Sequence, residues 1–243
     1  MSLLSISADA KTIKGEKQGY LTGILYLAPH TSAGVGNLCP NASPGCIAAC
    51  LNTAGRGVFS NVQAARIAKT QRFHAGRAAF LTELERDIAA LVRKAERAHM
   101  IPVVRLNGTS DIPWENVPHD GAPNIMARFP TVQFYDYTKS ARRMAKSLLP
   151  DWPRNYHLTF SRSECNDAEA LSTLASGGNA AVVFATRKGD ALPIEWHGYR
   201  VIDGDTSDLR FLDAAPRGII GYVVGLYAKG KARKDTSGFV VSA

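Results

Sequence analysis

Three of the four cysteines in this chain, Cys39, Cys46 and Cys50, fall within twelve positions and read C-x6-C-x3-C. Thiolates are soft, anionic ligands suited to zinc or to an iron–sulfur cluster, so a triple at this spacing predicts a metal centre. Pro40, Pro44 and Gly45 bend the chain between the first two. A turn leading into a helix start would then aim all three sulfurs at one spot. Single buried cysteines are explained by packing, but three in one Gly/Pro-rich loop, NLCPNASPGCIAACLNTAGRG over 37–57, are not. A disulfide framework is not expected in a chain of 243 residues, which is long enough to bury its own core.

The choice of metal follows from what else the chain offers. Structural zinc sites pair C-x2-4-C with a second Cys or His pair, whereas His30, His74, His99, His119, His157 and His197 are scattered singly. A [4Fe–4S] cluster takes four ligands, so a local triple leaves one iron open to a substrate or cofactor. We therefore favour iron–sulfur over zinc. Cys165, in SRSECND after a predicted strand, is the alternative fourth ligand; another side chain or an exogenous group also remains open.

These residues need elements to hold them. Residues 11–17 read as irregular, and YLTGILYLA at 20–28 is the first strand, apolar enough to be buried on both faces. Two helices follow. The first spans 60–73 with Ser60 as its N-cap, and the second spans 78–98, where Phe80, Leu84, Ile88, Leu91 and Val92 recur at helical spacing. PVVRL (102–106), VQFYD (132–136), YHLTF (156–160), AAVVFA (180–185), YRVID (199–203) and IIGYVVG (219–225) are the remaining strands, with helices expected from 140 to 149 and from 166 to 176.

Most strands run into a polar terminus, and the loops at such termini are where α/β sheets bind ligands. This recurrence predicts an α/β fold in one domain over 1–243, a parallel β/α barrel or a partial TIM-like barrel. The connection between the strands at 180–185 and 199–203 is too short for a full crossover helix. The termini supply the candidate ligand-binding residues Arg105, Asn107, Asp111, Tyr135, Asp136, Lys139, Ser161, Arg162, Asp203, Asp205 and Lys229. Arg105 interrupts an apolar run, so it either lines a central cavity or pairs with a carboxylate. Tyr135, Tyr137 and Lys139 combine aromatic faces with a cation, which suits a nucleobase or nucleotide. The sequence names no catalytic residue.

Lys+Arg 29 against Asp+Glu 21 gives a formal net charge of +8, which attracts a polyanion or a phosphorylated small molecule. The basic residues Arg142, Arg143 and Lys146, and those between Lys229 and Lys234, are the candidate nucleic-acid contacts. No run of about 18 apolar residues exists, so no membrane span is expected. No secretory signal is evident, and thiols in that setting point to a reducing cytoplasm. Oligomeric state is not legible.

The blocks NLCPNASPGC-IAAC-LNTAGRG, ARIAKTQRF, VRLNGTSDIPWE, VQFYDYTK, LTFSRSE, VIDGD, DLRFLD and AKGKA resemble the gene-product-88-type family of phage and prophage proteins over nearly the whole chain. That resemblance implies a viral or mobile-element product acting in a bacterial cytoplasm. A more distant likeness is to the radical S-adenosylmethionine enzymes, whose cluster cysteines also follow the first strand of a partial β/α barrel. Their C-x3-C-x2-C differs from the spacing here, and their glycine-rich segment is only echoed by Asn107-Gly108-Thr109. This likeness carries over the cluster and the barrel, with S-adenosylmethionine use left open. Two functions follow: an iron–sulfur enzyme, or a basic nucleic-acid-binding phage protein for replication or host takeover with a structural metal.

Overall fold

Alternating and continuous apolar runs resolve into ten strands and seven α-helices among the described residues of the computed structural model, which are 2–7, 10–187, 189–213 and 220–242. The strands are β1 (Leu4–Ile6), β2 (Tyr20–Leu25), β3 (Ile101–Arg105), β4 (Gln133–Thr138), β5 (Tyr156–Ser161), β6 (Ala180–Phe184), β7 (Glu195–Trp196), β8 (Tyr199–Asp203), β9 (Val223–Tyr227) and β10 (Val240–Val241). The helices are α1 (Ala10–Glu16), α2 (Pro44–Ala48), α3 (Ser60–Ala75), α4 (Arg77–Arg97), α5 (Ile125–Arg128), α6 (Ala141–Ser147) and α7 (Asp167–Ala175).

Strand pairing follows the order β1-β2-β3-β4-β5-β6-β9-β8-β7, with β10 added to β6. Among the described residues the order ends on two different strands, so the sheet is open. At its two ends β1 joins β2 antiparallel and β7 is a two-residue antiparallel partner of β8. From β2 to β6 the order follows the sequence. It reverses only at β9, which inserts between β6 and β8. Among the described residues no helix occupies the connection from β6 to β8, in keeping with its short length.

The chain divides into two compact units, one within 1–40, 59–136 and 153–157, the other within 41–58, 137–152 and 158–243. In the first unit α4 covers β1, β2 and β3. Its buried Phe80, Leu81, Leu84, Ile88, Leu91 and Ala95 form one stripe at helical spacing, each large side chain contributing about 1.5–3 kcal/mol on burial. The strand must make room for that stripe: a Cβ at Gly23 of β2 would stand 2.9 Å from Leu91 Cδ2. Phe73, Phe80 and Trp114 pack edge-on or tilted against one another at 5.3 and 5.6 Å between ring centres.

Two sequence readings are corrected in this unit. Residues 11–17 are not irregular, because α1 packs on β2 and buries Thr12 completely. Ser60 opens α3 rather than capping it; Phe59 holds the cap position without a side-chain bond. In the second unit, α7 turns Ala170, Thr173 and Leu174 inward and packs on β6. The last predicted strand begins later than expected, at Val223, and its expected first residue lies outside the described residues.

Candidate functional site

Cys39 sits where the segment leaving β2 meets the segment leaving β3. His30 takes a left-handed conformation (φ 53°), and its backbone N–H points at Cys39 Sγ, 3.3 Å away. The Cys39 N–H donates to Asn37 Oδ1 at 2.8 Å, and Leu38 N–H to the His30 carbonyl at 3.2 Å. The two segments are laced together. Thr109 Oγ1 donates to the Leu27 carbonyl at 2.5 Å, Asp111 N–H to the Leu38 carbonyl at 2.8 Å, and Cys39 Sγ lies 3.8 Å from the Thr109 carbonyl. Gly108 permits this approach, because a Cβ there would stand 2.8 Å from the Leu25 carbonyl oxygen.

Asn107 and Asp136, read from sequence as ligand-binding, use their polar atoms on the protein itself. The Asp136 carboxylate is fully buried and accepts from Asn107 N–H (2.7 Å), Asn107 Nδ2 (3.3 Å) and the Tyr156 hydroxyl (2.9 Å). Asn107 Oδ1 accepts from Ser110 Oγ, Ile112 N–H and Trp114 Nε1 at 2.9, 2.9 and 3.1 Å. Together they fix the turn that carries Thr109 and Asp111. Asp111 is buried with them, and Arg105 and Tyr135 lie one residue before Leu106 and Asp136, on β3 and β4.

The second unit carries the other two cysteines of the motif. Ser43 caps α2: its Oγ accepts Cys46 N–H at 3.2 Å and donates to Glu164 Oε2 at 2.7 Å, while Gly45 N–H donates to Glu164 Oε1 at 2.7 Å. Glu164 thus clamps the helix start from 121 residues away. Burial raises its pKa, but the bonds from Ser43 and Gly45, aided by the charge of Lys139, outweigh this and hold it below the usual glutamate range. Beyond α2, Ala49 packs with Ala228 and Ala232 against Val183, Phe239 and Val240. Cys50 caps the following 3-10 turn (Leu51–Thr53), its Sγ accepting Asn52 N–H at 3.5 Å.

Lys139, Ser161 and Arg162 are brought together and bound to one another. Lys139 Nζ donates to Ser161 Oγ (2.9 Å) and to the carbonyls of Ser161 (3.2 Å) and Arg162 (3.1 Å). Arg162 forks onto Asp167 and donates to the carbonyls of Gly238 and Phe239. Asp205 forms a separate group: it pairs with Lys229, accepts Tyr227 N–H at 3.1 Å and donates its own N–H to Asp203 Oδ1 at 2.7 Å. Here the Asp205 N–H is the donor. Burial, then the nearby Asp203, Asp205 and Asp190 charges, raise the Tyr227 pKa.

None of the four cysteines is in a disulfide; Cys39, Cys46 and Cys50 are half-buried and Cys165 is exposed. The donor chemistry fits a metal, since Cys39 and Cys50 each take a backbone N–H on sulfur, which favours thiolate. Among the described residues, however, no three His, Cys, Asp or Glu side chains stand grouped to hold a metal ion. Sequence reasoning missed Ser43 and Glu164. Only the position of Glu164 beside Cys165 hinted at it, because the partner lies in a distant segment.

Fold and site define a mixed α/β protein with a clamped, cysteine-bearing segment after its first parallel strand. The family model described as Gene product 88 matches residues 2–243, and the chain belongs to that family, which carries its phage association. No curated protein and no solved structure matches the chain, so the likeness to radical S-adenosylmethionine enzymes finds no support there. No helix among the described residues is long and apolar enough to cross a membrane.

Proposed function

We propose that this is an iron–sulfur protein in which Cys39, Cys46 and Cys50 ligate a [4Fe–4S] cluster and one iron is left for a substrate, a cofactor or a further ligand. The observation that carries the reading is the pair of N–H···S bonds, from His30 to Cys39 and from Asn52 to Cys50. Such bonds stabilise thiolate ligands and tune a cluster's potential. To hold a cluster the segment would have to rearrange, since among the described residues the three side chains are not grouped. A cluster would supply electron transfer or a Lewis-acidic iron. The chain's own part is to hold the ligand backbone: Asn37, Thr109 and Leu38 on one side of the motif, Ser43 and Glu164 on the other. The setting is the host bacterial cytoplasm, and S-adenosylmethionine remains a candidate for the open iron.

Anaerobic purification should yield a brown protein with broad absorbance at about 400 nm and matched iron and sulfide. Each of Cys39→Ser, Cys46→Ser and Cys50→Ser should lose the colour, and Cys165→Ala should keep it. A colourless protein carrying stoichiometric zinc would defeat the proposal.

A second reading, nucleic-acid binding, is favoured by one observation: Lys231, Arg233 and Lys234 are all exposed on the 3-10 turn Gly230–Lys234. Arg142 and Lys146 on α6 are exposed as well, but Arg143 is buried and donates to Thr138 Oγ1.

A further inference from the structure

The two 3-10 turns that follow α2, Leu51–Thr53 and Gly55–Val58, fold back on one another. Gly57 lies so near the first of them that a Cβ there would stand 2.4 Å from the Asn52 carbonyl oxygen, and its N–H donates to the Ala54 carbonyl at 3.0 Å. Only glycine permits that approach. The turn Gly230–Lys234 closes on the same place: a Cβ at Gly230 would stand 2.9 Å from Ala54 Cβ, and Ala232 is buried with Ala49 and Ala228. The three turns therefore make one platform inside the second unit.

What this platform leaves in solvent is of two kinds. Leu51 is 43 % exposed and Val58 56 %, with Ile47 of α2 at 40 % beside them in the chain, while the small Ala49, Gly57 and Ala232 are the buried ones. Large aliphatic side chains left out together on one platform mark an interaction surface. The charges around them are of one sign. Arg56, Lys231, Arg233 and Lys234 are exposed, and 41–58 contains no Asp or Glu. The carboxylates that border the third turn are engaged: Asp235 accepts Val240 N–H at 3.0 Å and the Ser237 hydroxyl at 2.7 Å, and Asp205 pairs with Lys229. Among the described residues no ion pair holds Lys231 or Lys234.

We propose that this platform is the docking surface for an acidic segment of a partner protein, whose aliphatic side chains cover Leu51 and Val58 and whose carboxylates meet Arg56, Lys231 and Lys234. Complementary charge steers the encounter and fixes orientation, and the apolar centre holds the complex. A nucleic acid would meet the cations but leave the aliphatic side chains without a match, and 41–58 and 229–234 contain no aromatic residue on which a base could stack. Nothing in this surface requires a cysteine sulfur, so it stands or falls apart from the metal.

Calorimetric titration of the full chain tests it with a helical peptide that carries leucines on one face and glutamates on the other, the same peptide with serine for leucine, and a single-stranded oligothymidylate. The glutamate and leucine peptide is expected to bind at probe concentrations up to about 100 μM. Lys231→Glu/Lys234→Glu should weaken it by about tenfold or more and Leu51→Ser by about fivefold. These side chains are exposed, so the fold should survive both changes; Val58→Ser is read in place of Leu51→Ser if the latter does not fold. Absence of binding by the glutamate and leucine peptide, equal affinity for the serine peptide, or unchanged affinity in either variant overturns the assignment. Oligothymidylate binding that falls in Lys231→Glu/Lys234→Glu but not in Leu51→Ser overturns it too, and gives the surface to a nucleic acid.

Discussion

At the scale of single residues, the polar groups at the strand ends divide into those that hold the chain and those left for chemistry. Asp136 belongs to the first kind, since its carboxylate satisfies three donors in a fully buried place. Asp136→Ala leaves those donors bare and should cost about 3 kcal/mol or more in urea denaturation. Glu164 makes stability depend on pH with a definite sign. Its pKa is lowered in the folded chain, so its contribution is present above the ordinary glutamate pKa and is lost as pH falls through the lower folded value. Hydrogen exchange at Gly45 N–H should accelerate in that acid window, relative to neighbouring amides. In Glu164→Gln the added acid sensitivity should disappear.

At the scale of elements, close approaches of backbone decide more than propensity does. Gly108 follows β3 with its N–H on the Leu25 carbonyl at 3.0 Å, so the two strand exits share one platform beneath Cys39. Gly108→Ala would force a Cβ against that backbone oxygen, which cannot move as a side-chain tip can. A loss of about 2 kcal/mol or more, with faster proteolysis between 26 and 40, is expected. Gly23→Ala meets only the ends of the Leu91 and Leu4 side chains, so it should cost less, on the order of 1 kcal/mol, in the same assay.

At the scale of the molecule, the excess of positive charge is the feature that most affects partners. If the exposed cations on 230–234 and on α6 contact a nucleic acid, affinity falls steeply with salt, and Lys231→Glu/Lys234→Glu lowers the slope of log affinity against log salt by about 2. A flat response in a filter-binding series from low to moderate salt would remove this partner. Metal loading acts on the whole chain too. A cluster that binds only the folded state should raise the melting temperature by several degrees over protein stripped of it, in proportion to its affinity.

What was legible from residues alone was local: β2 and the helices α3 and α4 show their periods, the strand ends show their polar residues, and the blocks of the cysteine motif show the family. Such signals depend on neighbours within one turn or one pleat, so a linear reading reaches them. Only the tertiary structure decided that the strand order stays open, that α1 forms on a polar stretch, and that Asp136 and Lys139 are bound by the protein itself. The clamp of Glu164 on α2 likewise came from tertiary structure. The physical reason is common to all of these. A buried polar group is defined by the partner that satisfies it, and here those partners lie up to 121 residues away, brought near by strand register and not by spacing along the chain.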